Sequence, residues 1–191
     1  MGSYTVIEDV GSAIVKLLRK NLVPEFVQHP EEIALCNIDD RGEFKVAVSL
    51  YNVQECREMK ENGMRSQGIS MQVKPSMYLE LFYVISVSFD SDVKFRAKQE
   101  QTILSRIIQI IYDEGSSLRK YLEDPGDEKL RMTIEMSYLT LEEKMKIFNV
   151  PGKAYKPCLY YKVCPVELIS LKGKKVARIT NFNQSVEEEE R

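Results

Sequence analysis

The strongest pattern along the chain is an alternation of apolar and mixed positions over residues 77–90, MYLELFYVISVSFD. Every odd position from 79 to 89 is apolar, whereas the even positions include a glutamate and two serines. A period of two in a stretch rich in β-branched and aromatic residues predicts a strand with one face on a core. The stretch is about twice the usual strand length of about 5–6 residues, so we predict a central strand.

Two segments carry apolar residues at the three- and four-residue spacing of a helix. The first ends before Pro24, because proline disfavours a helical residue before it. The second follows Ser91 and Asp92, which offer an N-cap, and ends near Gly115. The stripe of the first helix is Val6, Ile7, Val10, Ile14, Leu17, Leu18 and Leu22, and that of the second is Ala97, Ile103, Leu104, Ile107, Ile108 and Ile111.

Shorter patterns predict four further strands and one more helix. Residues 32–38 and 43–53 flank the turn sequence DDRG, which favours an antiparallel hairpin with glycine at a positive φ. After a turn at residues 123–127, clean alternation predicts a strand over 129–139. The capping-box sequence TLEE then opens a helix over 141–148. Residues 158–170 complete the set as a strand in which Pro165 indicates an edge or a bulge.

Two stretches do not follow either period. Residues 54–74 are polar and dotted with glycine, which is typical of a mobile hairpin excursion or of a partner-binding loop. The tail has basic residues at 172–175, a possible strand or arm at 176–182 and an acidic end, unless it is simply a frayed terminus. We predict one α+β domain over residues 1–170, an antiparallel or mixed sheet with packed helices, and a charged C-terminal arm or tail over 171–191.

The charge balance and the lengths of the apolar runs argue against two classes of partner. The 191 residues carry a formal net charge of −2, so a nucleic-acid backbone would find little attraction. The N-terminus lacks the basic and apolar regions of a secretory signal. The longest apolar run is far shorter than the ~20 residues of a membrane helix. We therefore expect neither nucleic acid nor a membrane among the partners.

The residues available for catalysis are few. The single histidine, His29, precedes Pro30 in a predicted connection, and a Ser-His or Cys-His mechanism would have to use it. Gly173-Lys174-Lys175 lacks the upstream glycine and the following Ser or Thr of a phosphate-binding loop. We predict no enzyme, no cofactor and no metal, with a small-ligand enzyme as the alternative from another class. No C-x-x-C pair occurs, which favours reduced thiols in a cytosolic fold over a disulfide or a metal site at Cys36, Cys56, Cys158 and Cys164.

Six segments, taken in order, resemble the N-terminal domain of the cap or tube-terminator proteins of phage-tail-like contractile injection systems, the virulence-cassette and antifeeding-prophage kind. The resemblance covers residues 4–169 and rests on the order and spacing of the segments. They are YTVIEDVGSAIVKLLRKNLVP, LCNIDDRGEFKVAVSLYNVQE, KPSMYLELFYVISV, ILSRIIQIIYDE, LRMTIEMSYLTLEEKMKIF and YKPCLYYKVCPVEL.

The resemblance implies a phage tail-terminator-like fold and a structural role. Such proteins form a hexameric ring on the distal end of the inner tube and sheath, where they stop polymerisation. The implied partners of this chain are further copies of itself and the inner-tube and sheath proteins. The implied location is a phage-tail-like particle assembled in a bacterial or archaeal cytoplasm. The alternative within the same machine is an accessory adaptor, either of the baseplate or for cargo loading.

Closure of such a ring requires heterologous contacts between copies. An exposed basic loop and a charged arm supply the kind of surface that assembly uses, and an extended arm can also add to a sheet edge. The candidate contact residues on the loop and the arm are Arg57, Lys60, Arg65, Lys74, Lys172, Lys174, Lys175, Arg178 and Phe182.

Overall fold

Helices and strands make up most of the ranges 4–40, 42–60, 63–67, 71–122, 132–147 and 155–175, which the computed structural model describes. Five strands form one mixed sheet in the order β1-β2-β5-β7-β6, and three form a small sheet in the order β3-β4-β8. The helices are α1 (Val6–Leu22), α2 (Val93–Glu114) and α3 (Leu141–Ile147). The strands are β1 (Ile33–Leu35), β2 (Val46–Glu55), β3 (Arg65–Gln67), β4 (Met71–Val73), β5 (Met77–Val87), β6 (Thr133–Met136), β7 (Leu159–Leu168) and β8 (Gly173–Lys175).

Strand β5 lies in the middle of the five-stranded sheet, which confirms the prediction of a central strand. Its odd-numbered residues Leu81, Tyr83 and Ile85 are almost completely buried. The Tyr83 hydroxyl donates to the Ile7 carbonyl of α1 at 3.1 Å. Burial raises the pKa of Tyr83, so this hydroxyl stays protonated and able to donate. The strand is thereby tied to the first helix as well as to its neighbours.

The core lies between one face of this sheet and the helices α1 and α2. The apolar stripe of α1 is buried there together with Ile103, Ile107, Ile110 and Ile111 of α2. As predicted, α2 has an N-cap, since the Asp92 carboxylate accepts the Lys94 N–H at 3.0 Å. None of the described helices combines the length and the apolar character that crossing a bilayer requires.

The first two strands correct the sequence-based topology, because β1 and β2 are parallel and the predicted antiparallel hairpin is wrong. Gly42 has the positive φ expected of it, +58°, but it lies in a connection that leads back to the starting edge of β1. Glu32 directly before β1 and Lys45 directly before β2 form an ion pair of 2.6 Å. The pair therefore lies at the start of both strands, which run in the same direction.

The last strand of the large sheet shows what Pro165 does. Strand β7 lies between β5 and β6, so the edge position is excluded and the bulge is confirmed. Cys164 and Pro165 together lie opposite the single residue Glu80, where the register shifts. The predicted turn at 123–127 lies outside the described residues, and strand β6 is shorter than the predicted 129–139.

The short helix α3 begins with the predicted capping box. The Thr140 N–H donates to Glu143 at 2.8 Å, and the Glu143 N–H donates to the Thr140 hydroxyl at 3.3 Å. With helices packed on a mixed sheet in one domain, the predicted α+β class is confirmed.

Candidate assembly interface

The small sheet joins two stretches that are about 100 residues apart in the chain. Within the polar stretch 54–74, β3 and β4 form an antiparallel hairpin, and β8 from the start of the tail pairs with the other side of β4. In this pairing Lys174 lies opposite Gln72 and Lys175 lies opposite Met71. The hairpin excursion and the arm are therefore one structural unit, while the division of the chain at residue 170 stays a prediction.

Three of the predicted contact residues lie exposed on or beside this sheet. Arg65 begins β3, Lys74 follows β4, and Lys172 precedes β8. The Lys74 N–H donates to the Lys172 carbonyl at 3.1 Å, which extends the β4–β8 pairing by one more hydrogen bond. The structure thus brings together basic residues from both the loop and the arm. Arg178 and Phe182 lie outside the described residues.

The other two predicted loop residues lie among carboxylates. Arg57 belongs to a 3₁₀ turn, and Lys60 follows it and pairs with Glu55 at 3.2 Å. Arg57 lines an open surface depression together with Glu55, Glu58 and Glu80. Since an exposed ion pair such as Lys60–Glu55 contributes only about 0–1 kcal/mol, it does little for stability. The nearby acids nevertheless offset the positive charge of this part of the loop, which leaves the small sheet as the more basic surface.

Exposed apolar side chains lie beside the basic residues, and the sequence patterns did not predict them. Leu171 is 94% exposed, and Ile169, Met64, Met71 and Met77 are between 40% and 47% exposed. Met77 and Ile169 line a groove beside the start of β5 and the end of β7. Apolar side chains exposed in one region are typical of a surface that another molecule covers. The available signal was Leu171, which is apolar although it follows the end of the last predicted strand at residue 170.

A second apolar surface lies at the β6 edge of the five-stranded sheet. Within the described ranges β6 pairs only with β7, so its other side is open. Tyr138 and Tyr112 are 102% and 88% exposed, and Met136 is 46% exposed. Tyr112, Met136 and Tyr138 line a notch between α2 and β6. The molecule therefore presents two unlike surfaces, a basic and apolar one at the small sheet and an aromatic one at β6.

One group of side chains could hold a metal ion among the described residues. Cys56, Glu80 and Cys164 each place a potential ligand atom within 4.8 Å of the other two. Burial, together with the neighbouring Cys56 and Glu80, raises the pKa of the Cys164 thiol to about 12. None of the four cysteines forms a disulfide. The backbone N–H of His29 donates to the Glu32 carboxylate at the 3₁₀ turn before β1, which is a local structural contact.

Comparison with protein families identifies the domain. The model of the Pvc16 N-terminal domain matches residues 9–181. The chain belongs to this family. The match covers the five-stranded sheet, α2, α3 and the small sheet, so the Pvc16 N-terminal domain includes both surfaces described above. The predicted family of cap and tube-terminator proteins is confirmed.

Solved structures share the fold of this Pvc16 N-terminal domain. The PVC sheath/tube terminator of an extracellular contractile injection system, in its extended state, has a TM-score of 0.67 at 17% identity. The tube-terminating cap of the anti-feeding prophage has a TM-score of 0.61 at 19% identity. The likeness covers 98% and 91% of this chain but only 65% and 59% of those chains. Comparison with curated proteins gave no match. The predicted terminator-like fold is confirmed.

Proposed function

We propose that this chain is a structural terminator of a contractile injection system, which ends tube and sheath polymerisation at the distal end of the particle. The observation that carries the proposal is the fold shared over 98% of this chain with a sheath/tube terminator. A structural role fits the described residues, whose candidate sites are surfaces and not a catalytic cleft. The particle would be phage-tail-like and assembled in the cytoplasm of a bacterium or archaeon.

The proposed mechanism is a closed ring, hexameric in our proposal, built from the two unlike surfaces. Contacts between different surfaces of successive copies generate a ring when the rotation closes. The open edge of β6, with Tyr112 and Tyr138 beside it, supplies one surface, and the small sheet supplies the other. One face of the ring would match the last layer of tube or sheath, and the opposite face would accept no further subunit.

Deletion of the gene tests the terminator role directly. Particles would be imaged by negative-stain electron microscopy and their tube and sheath lengths measured. Tubes of uncontrolled length, or tubes without a stable sheath, are the expected result. Particles with unchanged length and intact sheath would refute the terminator role and would instead indicate an accessory adaptor with a cargo.

Charge variants test the small sheet as the contact surface. Replacing Arg65, Lys74 and Lys172 together by alanine should abolish incorporation into particles, because these cations lie exposed on the more basic surface. The double variant of Arg57 and Lys60 should have a weaker effect, since their charges are offset by nearby glutamates. A matched control removes three exposed lysines elsewhere, Lys94, Lys98 and Lys120. Normal incorporation of the first variant, or an equal loss in the control, would refute this surface.

A further inference from the structure

Three side chains with affinity for soft or borderline metal ions meet on one face of the five-stranded sheet. Cys56 follows the end of β2, Glu80 lies in β5, and Cys164 lies in β7. Their ligand atoms all lie within 4.8 Å of one another. Cys56 is buried, whereas Glu80 and Cys164 are partly exposed, so the group is accessible from solvent on one side.

Two irregularities of the sheet bring these residues to the same face. The register of β2 shifts at Tyr51, between the pairs Leu50–Tyr83 and Asn52–Phe82. This extra residue turns the even-numbered positions after it, including Cys56, away from the α1 side of the sheet. The bulge of β7 lies opposite Glu80 and keeps Cys164 on that same outer face.

Two of the three distances between ligand atoms match tetrahedral coordination, and the third is at most 4.8 Å. With Zn–S bonds of about 2.3 Å, two sulfur ligands of a tetrahedral zinc ion lie about 3.8 Å apart. With a Zn–O bond of about 2.0–2.2 Å, sulfur and oxygen ligands lie about 3.5–3.7 Å apart. The Cys56 and Cys164 sulfur atoms are 3.8 Å apart, and the Cys164 sulfur is 3.6 Å from Glu80 Oε1. Both spacings therefore suit a common ion.

We propose that Cys56, Glu80 and Cys164 bind one Zn²⁺ ion through two thiolates and one carboxylate. Binding would release the two thiol protons to solvent. The fourth position would face the depression that Glu58 also lines, so a water molecule or the Glu58 carboxylate completes the tetrahedron. This site does not depend on the terminator role.

The charges around the group agree with this ligand set. Two thiolates and a carboxylate carry three negative charges, of which Zn²⁺ offsets two. Lys162 Nζ lies 3.5 Å from Glu80 Oε1 and can offset the third. Its side chain is 35% exposed, so the ammonium group has room to move when a cation occupies the site.

A disulfide between the two cysteines fits the strand arrangement less well. Cys56 continues β2 and Cys164 belongs to β7, and β5 lies between these strands. With strands about 4.7–4.9 Å apart, the two backbones are separated by roughly 9–10 Å. Disulfides usually join Cα atoms about 4.4–6.8 Å apart. A metal ion bridges the longer distance without movement of the backbone.

Cobalt and zinc binding by the purified, reduced full-length chain tests the site. After treatment with a chelator, Co²⁺ would be added without oxygen while the visible and near-ultraviolet absorption is recorded. We expect thiolate-to-cobalt charge transfer and the intense visible bands of tetrahedral cobalt, saturating at one Co²⁺ per chain. One equivalent of Zn²⁺ should abolish both. The proposal would be overturned if the unsubstituted chain showed no thiolate-to-cobalt charge transfer. It would also be overturned if a Cys56–Cys164 disulfide were recovered in place of two thiols.

Single substitutions assign the ligands. The loss of a residue that only hydrogen-bonds to a metal ligand weakens metal binding roughly 10–100-fold, and Cys164→Ser should weaken zinc binding by more than that. Glu80→Gln should also weaken zinc binding, while the thiolate-to-cobalt absorption remains. The matched control is Cys36→Ser, directly after β1, where the sulfur lies 3.6 Å from the Ser49 hydroxyl of β2. It should bind zinc normally. Circular dichroism checks that each variant is folded, and unchanged affinity in both folded ligand variants would refute the assignment.

Discussion

Gly115 offers a sharp test of the packing that positions β6. It follows the last residue of α2 with φ −61° and ψ −33°, a conformation that alanine adopts without strain. A Cβ atom at this position would lie 2.6 Å from Cγ2 of Ile134 in β6. Carbon atoms pack at about 3.5–4.0 Å, so Ile134 would have to move by about 1 Å. We expect Gly115→Ala to destabilise the domain.

The size of the effect follows from the surroundings of Ile134. This side chain is only 8% exposed, and its β-branched carbon restricts χ1, so it has little freedom to turn away. Overpacking of this kind costs about 1–3 kcal/mol. For a chain of this length, a loss of about 2 kcal/mol lowers the melting temperature by roughly 4–8 °C. Urea unfolding with an unchanged m-value would measure the free energy itself.

Two comparisons show whether the clash is the cause. Leucine has no Cγ2 branch at Cβ, whereas valine keeps one, so Ile134→Leu should relieve the Gly115→Ala variant and Ile134→Val should not. Gly11→Ala is the matched control, because its Cβ would meet Leu35 Cδ2 at 2.9 Å, the end of a side chain that is 38% exposed. It should be neutral or stabilising by up to about 1 kcal/mol. Equal destabilisation at both glycines, or equal rescue by valine and leucine, would refute the reasoning.

Two further variants probe the start of the sheet. The pKa of Glu32 is lowered, chiefly by its hydrogen bond with Lys45. The ionised Glu32 carboxylate therefore stabilises the fold at pH values above its ordinary pKa of 4.5, and this stabilisation is lost as the pH falls below that pKa. Glu32→Gln should lower the free energy of unfolding by up to about 1 kcal/mol at pH 7 and by less at pH 3. A loss that is the same at both pH values would contradict this. The Arg19 guanidinium donates to the Ile33 carbonyl at 3.0 and 2.8 Å, so Arg19→Lys should cost about 1–2 kcal/mol in urea unfolding, and an unchanged midpoint would show that the paired geometry is unimportant.

Periodicity predicted the long elements because each one decides its own structure locally. The alternation of residues 77–90 and the stripes of α1 and α2 each bury one face, and those faces form the core. The turn sequence before β2 predicted the wrong strand direction. Its glycine does adopt a positive φ, but β1 pairs with β2 in parallel, and local turn rules do not include that long-range pairing.

The features at the small sheet and at the cysteines depend on contacts that no local pattern reports. Strands β3, β4 and β8 have three residues each, which is too short for a period, and β8 pairs with a strand about 100 residues away. The approach of Cys56 to Glu80 depends on the bulge at Tyr51. Without that extra residue the alternation of β2 would put Cys56 on the same face as Val48, in the core.

The two proposed contact surfaces have separate supports, which matters for a ring built from unlike contacts. The small sheet is continuous in sequence with the end of β2, the start of β5 and the end of β7, and the Cys56 group lies at that junction. The β6 edge is positioned instead by Ile134 against Gly115 at the end of α2. A change at one support should therefore leave the other surface in place. Copies altered at the small sheet could still offer an intact β6 edge to unaltered neighbours. Mixtures of altered and unaltered copies should therefore form incomplete rings. A single self-complementary surface would instead give dimers.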